Sequence, residues 1–594
     1  MSLLAALARA YDRLPDRPPY GFSSEKIGFC VVLNPDGSIA SVEDLRDTDK
    51  KRSPMPMLVP TSFKRPGVTP RPFFLWDNAN FALGLGAMHD PADRRFEVFR
   101  AKHLEFLADE EDAEIIAFRG FLEHWSPARI PEVFPVEDLS NAKIVFAMRD
   151  SYRHHYLHQS DVSQRIWSQR QADWLAVEGK AAETAICLVT GERLPIARTH
   201  LAIKGIPSKS GKDADTLIGF NLDAFTSYGH EQGDNAPVSE VATFQYTAAL
   251  NRFLERDSGH RVQIGDTSTV FWADGSGAMP ELAESLFAAF VDSPEVDFDA
   301  DRMATNIVAA HLERIRRGDR LADIEPRIAE GVRFQVLGLA PNAARLSVRF
   351  YWEDDFGQLT RNYQQYLSET RIDPPPRDGF PPIWRYLVEL AVLNKRENVP
   401  PNLAGEWMRA ILTGGTYPMS LLATVLMRLR ADGDVNALRA AILKSVLIRN
   451  FKKETIPVAL DPDYKDSKGY LLGRLFAAYE QVQRAALGAN VNATIKDKFY
   501  GAASASPQKV FATLNSGAQD HFGKLRKANP GWAYNLEQLI MSIMDQMSPG
   551  DDPIPAYLSA PEQALFGLGY YHQRSEFFRK RDEKTDDTAP ETAK

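Results

Sequence analysis

Three stretches of the chain carry residue types that could do chemistry. In KGIPSKSGKDADTLIGFN, Gly205, Gly211 and Lys212 imitate a loop that cradles nucleotide phosphates. Such a loop needs four residues between its glycines and a hydroxyl after its lysine, because the hydroxyl binds Mg2+. Here five residues separate the glycines and Asp213 follows Lys212, so a carboxylate would face the triphosphate. The segment also runs into a strand-like stretch, whereas a phosphate loop leaves a strand and enters a helix. Nucleotide hydrolysis is set aside, and Lys204, Lys209 and Lys212 remain as cations on a polar loop.

In RHHYLH, His154 and His158 would share a face on a helix, as two metal ligands do, with His155 between them. No glutamate stands between them as in a metalloprotease helix, and no third ligand can be identified, so they read as surface histidines. His89-Asp90 imitates the pair of a metal-dependent nuclease, without the further spaced His and Asp residues of one. These five residues define an alternative reading, a metal-dependent nuclease. The chain has no serine-nucleophile elbow of the G-x-S-x-G type. Its two cysteines, Cys30 and Cys187, lack partners at ligand spacing, which excludes a disulfide scaffold and a cysteine-type zinc site and fits a reducing cytosol. No catalytic residue, metal or cofactor is expected.

What is left is binding chemistry. The net charge of −9 argues against nonspecific coating of nucleic acid, but the charge is uneven. Residues 441–530 hold 14 Lys/Arg and 7 Asp/Glu, a local +7 that leaves −16 for the rest. A basic island in an acidic chain is a candidate footprint for nucleic acid.

The elements that must position these residues read as α+β: a mixed α/β N-terminal and central body with a C-terminal all-α helical bundle. MSLLAALARAYDRL is an amphipathic helix rather than a secretion signal, and no apolar run is long enough to span a bilayer. In KIGFCVVL, Ile27, Phe29, Val31 and Leu33 alternate onto one face, and the turn Asn34-Pro35-Asp36-Gly37 predicts a hairpin. DTDKKRSPMPMLVPTSFKRPGVTPRP, basic and proline-rich, reads as a long loop without regular structure. SEVATFQYTAALNRFLERDSG predicts a helix with Ala242, Tyr246, Ala249, Leu250 and Phe253 on its buried stripe. RFQVLGLAPNAARLSVRFYW predicts a second hairpin, with Leu346, Val348 and Phe350 on one face and Arg345, Ser347 and Arg349 on the other. DPPPRDGFPP reads as a linker, and everything after it is helical, with Leu471, Leu475, Ala478 and Val482 forming one stripe. The expected division is an N-terminal region 1–145, a strand-rich region 146–372, a linker 373–382, a helical bundle 383–575 and a disordered polar tail 576–594.

The segments PFFLWDNANFALGLG, CLVTGE, ARTHLAIKGI, GFNLDAFTSYGHEQGDNAPVSEVATFQYTAALN, GLAPNAARLSVRFYW, GTYPMSLLATVLMRLRADGD, KGYLLGRLFAAYEQVQ and NATIKDKFYGAASASPQKVF follow one another along the chain. Together they resemble the Csd-type large subunit of the type I-C CRISPR surveillance complex, Cascade. No single piece decides the matter; their shared order over more than 450 residues is specific. The resemblance implies a noncatalytic cytoplasmic subunit beside backbone subunits, an RNA-processing subunit and a small subunit around a CRISPR RNA. It implies recognition of the protospacer-adjacent motif on double-stranded DNA, strand separation and R-loop formation, and recruitment of a separate nuclease-helicase in antiviral defence. The C-terminal bundle would resemble a Cascade small subunit.

In such a complex guide pairing reads the sequence and the protein reads only a short duplex motif. Asparagine suits base edges because its amide both donates and accepts. Asn78 and Asn80, on one side of an apparently extended FLWDNANFALG, are the candidates; the competing expectation is a turn in which Asp77 and Asn78 satisfy backbone groups. Lys50, Lys51, Arg52, Lys64, Arg65 and Arg71 could hold flanking phosphates, as could Lys204, Lys209 and Lys212. Phe63 or Phe81 could wedge parted bases, with a core role favoured for Phe81. Arg345 and Arg349 could touch nucleic acid or an acidic neighbour. Lys444, Arg449, Lys452, Lys453, Lys496, Lys498, Lys509, Lys524, Arg526 and Lys527 supply most of the basic island, with 524–527 the cluster expected on a displaced single strand.

Overall fold

In the computed structural model the described residues are 2–579, without 16, 48–51, 64, 66–69, 91, 135, 140–141, 153, 176–183, 207–214, 221, 256–257, 265–266, 276–277, 292–301, 330, 343–344, 378, 466, 489–492 and 548. The chain divides into two units, residues 1–255 with 342–346, and 256–341 with 347–594. The class is α+β.

Unit 1 is organised by six strands: β1 Phe22–Ile27, β2 Phe29–Leu33, β3 Ile39–Asp44, β4 Met55–Pro60, β5 Trp76–Asn78 and β6 Lys143–Met148. A four-stranded sheet has the order β3-β2-β6-β5, with β2 antiparallel to β3 and parallel to β6. The hairpin expected around Asn34–Gly37 is the β2–β3 pair. Strand β2 is buried along its whole length because both faces of the sheet are covered. Phe29, Val31, Leu33, Ile144 and Phe146 face an aromatic core with Phe99, Phe118 and Trp167. Cys30, Val32, Val145 and Ala147 face Ile27, Met57 and Val59 of the separate β1–β4 ribbon.

That ribbon corrects the expectation that the proline-rich segment has no regular structure. Proline lacks the N–H that a strand ladder uses, yet Pro56 and Pro60 both lie in β4. They share the parity of Leu58, and these positions turn away from β1. The Leu58 carbonyl is bonded by His158 Nε2 at 3.0 Å and the Pro60 carbonyl accepts from Trp76 Nε1 at 2.8 Å. The prolines therefore stand where no ladder donor is required. The helix Glu240–Phe253 forms as expected, capped by Ser239, with Ala242, Tyr246, Ala249, Leu250 and Phe253 all buried.

Unit 2 begins with an antiparallel sheet of Arg261–Ile264, Thr267–Ala273, Arg333–Asn342 and Arg345–Asp355, followed by helices. Phe350 is buried in the last strand, but Val348, expected beside it on an apolar face, is 45% exposed. One apolar core runs from Ile264 to Tyr571 and includes both Ile372 and Ile383. The segment 373–382 thus lies within this unit rather than between domains. Asp373 N donates to the Val458 carbonyl at 2.9 Å, and Tyr571 Oη donates to the Pro374 carbonyl at 2.6 Å. At the centre of the bundle, helices Lys468–Leu487 and Ala560–Phe578 approach very closely. A side chain at Gly473 would meet the Phe566 carbonyl, and one at Gly569 the Tyr470 carbonyl, each at 2.1 Å, so only glycine allows this contact. Residues 576–578, expected in the tail, belong to the last helix; the tail from 580 lies outside the described residues.

Candidate nucleic-acid interface

The candidate reading residues sit where β5 turns into the helix Ala79–Ala82. Asn78 is the helix cap. Its side-chain oxygen accepts from Asn80 N at 3.1 Å and Phe81 N at 3.3 Å, satisfying donors that the helix start leaves open. The segment is therefore a strand-to-helix turn, not an extended run with both asparagines on one side. Asn80 differs from Asn78: its half-buried side chain has no hydrogen-bond partner among the described residues.

Beneath this turn Asp77 is fully buried and accepts from Arg65 Nη2, from Phe73 N at 2.9 Å and from Asn78 N at 2.7 Å. Arg65 is held on every side. Its Nε donates to the Arg71 carbonyl at 2.7 Å, and its guanidinium lies 4.0 Å from the Phe73 ring and 3.9 Å from the Phe81 ring. A planar delocalised cation between two aromatic faces is a strong arrangement when desolvated. Arg71 in turn lies 4.5 Å from the Phe63 ring, which packs edge-on against Phe73. Arg65, expected on a phosphate, is instead the clamp that fastens the basic loop to the asparagine turn. Phe81 is buried in the core, and Phe63 is half-buried in this stack.

Two further residues complete the edge, and the sequence reading did not find them. Lys143 on β6 stands opposite Asn78 in the strand register. Its Nζ reaches buried Glu25 at 2.5 Å, and Lys204 Nζ reaches the same carboxylate at 2.7 Å, with Ser62 Oγ donating at 2.5 Å. Burial pushes the Glu25 carboxyl up, but Lys204 and Lys143 outweigh it and hold the group at about 2. Lys204 is thus tied in an ion pair. With Glu25 ionised, the trio carries one net positive charge beside Asn78. The visible clue was Glu25 itself: it shares a strand face with Ile27, an acid on the side that alternation assigns to the core.

Among the other expected contacts, Arg52 is 65% exposed and reaches Asp138 at 3.4 Å, which Arg46 also binds at 2.9 Å. Lys50, Lys51, Lys64, Lys209 and Lys212 lie outside the described residues, as does the side chain of Arg345. Arg349 is half-buried, its stem under the helix Pro401–Thr413, where a side chain at Gly405 would meet it at 3.4 Å.

The histidines do not share a helical face. Among the described residues there Leu157–Gln159 forms a single short turn; His155 Nε2 contacts Glu114 at 3.1 Å, and burial pushes the pKa of His158 down to about 4 although its bond to the Leu58 carbonyl opposes the shift. His89 is exposed at the end of a five-residue helix, and Asp90 accepts from Ala92 N in its own turn. Among the described residues no three His, Cys, Asp or Glu side chains are placed to hold a metal ion.

In unit 2 the basic island separates into two populations. Arg449 is buried, with Nε 2.8 Å from Glu369 and its guanidinium 4.2 Å from the Tyr417 ring. Lys444 is buried and donates to the Glu369 carbonyl at 3.1 Å, and burial pushes its pKa down to about 8. These are parts of the core. On the helix Gln508–Ala528, Lys509, Lys524 and Lys527 are exposed and have no acidic partner among the described residues, whereas Arg526 pairs with Glu537.

The described residues thus place asparagine and lysine together at one sheet edge of unit 1 and exposed cations on a helix of unit 2. The family model described as CRISPR-associated protein (Cas_Csd1) matches residues 7–578, and the chain belongs to that family. No curated protein matches it. Among the described residues no helix is long and apolar enough to cross a membrane.

Proposed function

We propose that this chain is the noncatalytic large subunit of a type I-C CRISPR RNA-guided surveillance complex, working in the cytoplasm. In this reading it recognises the protospacer-adjacent motif in double-stranded DNA and promotes strand separation and R-loop formation. It then supports recruitment of a separate nuclease-helicase. The family match over residues 7–578 carries the reading. Its partners would be the backbone, RNA-processing and small subunits with their CRISPR RNA, and the target duplex.

The chemistry assigns the steps to different residues. Asn80, with both amide functions uncommitted, reads a base edge; Asn78 fixes the turn, and its amide nitrogen is left to assist. The clamp of Arg65 on Asp77 holds Asn80 in place. Phosphates beside the motif meet Lys143 and Lys204, each a half-exposed ammonium with donors to spare, together with Arg52 and with Lys50, Lys51, Lys64, Lys209 and Lys212. A photo-crosslinking residue at position 80 of the assembled complex should capture target duplex within the motif. Capture of guide RNA, or of no nucleic acid, contradicts the reading.

A further inference from the structure

The loop 222–236 of unit 1 holds an aromatic side chain where nothing in the chain uses it. Tyr228 is 98% exposed, and its backbone lies in the left-handed region at φ 60°. Glycine adopts that region freely, whereas for a residue with a Cβ it is unfavourable. Neither the exposed ring nor the strained backbone is compensated by packing, since no described residue covers the ring.

The loop is nonetheless fixed. Asn235 Nδ2 donates to the Phe225 carbonyl at 3.0 Å and to the Gln232 carbonyl at 3.1 Å. Thr226 donates to the Asp223 carbonyl from N at 3.1 Å and from Oγ1 at 2.7 Å, and Gly233 N reaches the Arg198 carbonyl at 3.0 Å. The Phe225 ring packs edge-on against Phe220. A ring held out on a fixed loop loses little conformational freedom when a partner covers it, which is what an anchor residue needs. Leu222 is exposed on the same loop, and exposed Leu188 lies beside its end, where Leu188 N donates to the Pro237 carbonyl at 2.8 Å.

Charge identifies the kind of surface that fits. Residues 219–236 contain Asp223, Glu231 and Asp234 and no lysine or arginine. Arg198 reaches Glu231 at 3.9 Å, while Asp223 and Asp234 have no ion-pair partner among the described residues. A phosphate backbone, or a second copy of the same loop, would meet these carboxylates with like charge. A protein pocket with an apolar floor and a rim of lysine or arginine matches both the ring and the acids. We propose that Tyr228 is the anchor of a protein-docking surface and inserts into such a basic-rimmed pocket, with the acids of its loop against the rim. The proposal rests on the reading above only for where the pocket is carried, on another protein subunit of the assembled complex.

The test places the photo-crosslinking residue benzoylphenylalanine at position 228 of the full chain, assembled with the other subunits and CRISPR RNA. Illumination should join it to a protein subunit. An adduct to RNA, to DNA or to a second copy of this chain overturns the surface, as does no adduct at all. Tyr228→Gly accepts the same backbone, so it should leave thermal unfolding undiminished. It should weaken association of the chain with the remaining subunits roughly thirtyfold, as loss of a buried aromatic anchor does, and Tyr228→Phe should retain association. Association unchanged in Tyr228→Gly overturns the proposal. Asp223→Asn with Asp234→Asn should weaken association and flatten its salt dependence. Tighter association would put phosphate or carboxylate opposite the loop and overturns the basic rim. Motif discrimination by the wild-type complex is a separate measurement, so failure of the docking surface and failure of the proposed function are told apart.

Discussion

Unit 1 and the C-terminal bundle are both rich in cations near their candidate surfaces, yet they use them in opposite ways. In unit 1 the cations are bound to buried acids: Arg65 to Asp77, and Lys143 with Lys204 to Glu25. There the charges hold a turn in place and leave little net field. On the bundle helix Gln508–Ala528, Lys524 and Lys527 stand without acidic partners among the described residues, while Lys444 and Arg449 of the same basic island lie in the core. Motif reading needs geometry, which paired and buried charge supplies; capture of a flexible strand needs field, which unpaired surface charge supplies.

Breaking the most deeply buried pair should have the largest effect. Arg449→Ala removes the ion-pair partner of buried Glu369 and leaves that carboxyl only its bonds from Tyr417 Oη and Gln365 Nε2, and the thermal unfolding of unit 2 should lose about 3–5 kcal/mol. An intact transition would remove Arg449 from the structural population. Next, Arg65→Ala strands Asp77 and empties the space between Phe73 and Phe81, for about 2–4 kcal/mol and a weaker hold on target duplex. Arg65→Lys should restore only part of this, since an ammonium cannot fill a planar sandwich. Full rescue by lysine would make the site a simple ion pair.

A pH titration sharpens the comparison further. The Glu25 carboxyl falls from 4.5 in the unfolded chain to about 2 in the fold, so its contribution is fully present above pH 4.5 and is lost as pH falls through about 2. After discounting for the partly exposed lysines, on the order of 2 kcal/mol should disappear over that window, and Glu25→Gln should flatten it. The smallest effect on stability belongs to the bundle surface. Lys527→Ala should change unfolding by no more than about 0.5 kcal/mol while lowering the salt dependence of single-strand binding.

The comparison also separates what the sequence discloses from what it hides. The helices Glu240–Phe253 and Lys468–Leu487 and the β2–β3 hairpin were legible because a stripe or an alternation is a local property of the chain. Strand β4 was hidden by Pro56 and Pro60, whose tolerance depends on which edge of the ribbon they occupy. The segment 373–382 has the composition of a linker, and partners distant in sequence, among them Val458 and Tyr571, show that it is packed. The asparagine turn was visible as a pair of alternatives, and the cap at Asn78 decides its conformation. Charge counting located the island of 441–530, but a sum over residues carries no depth, so it could not divide Arg449 from Lys527.

The central claim is that the unit 1 edge reads a duplex motif through Asn80. Its most direct test is the ratio of Kd values for target duplexes without and with the motif, measured on the assembled complex with wild-type chain and with Asn80→Ala. The account predicts that the substitution leaves thermal unfolding unchanged and cuts the ratio by about tenfold or more, the value of a bidentate base contact. A ratio that stays the same with Asn80 replaced contradicts it.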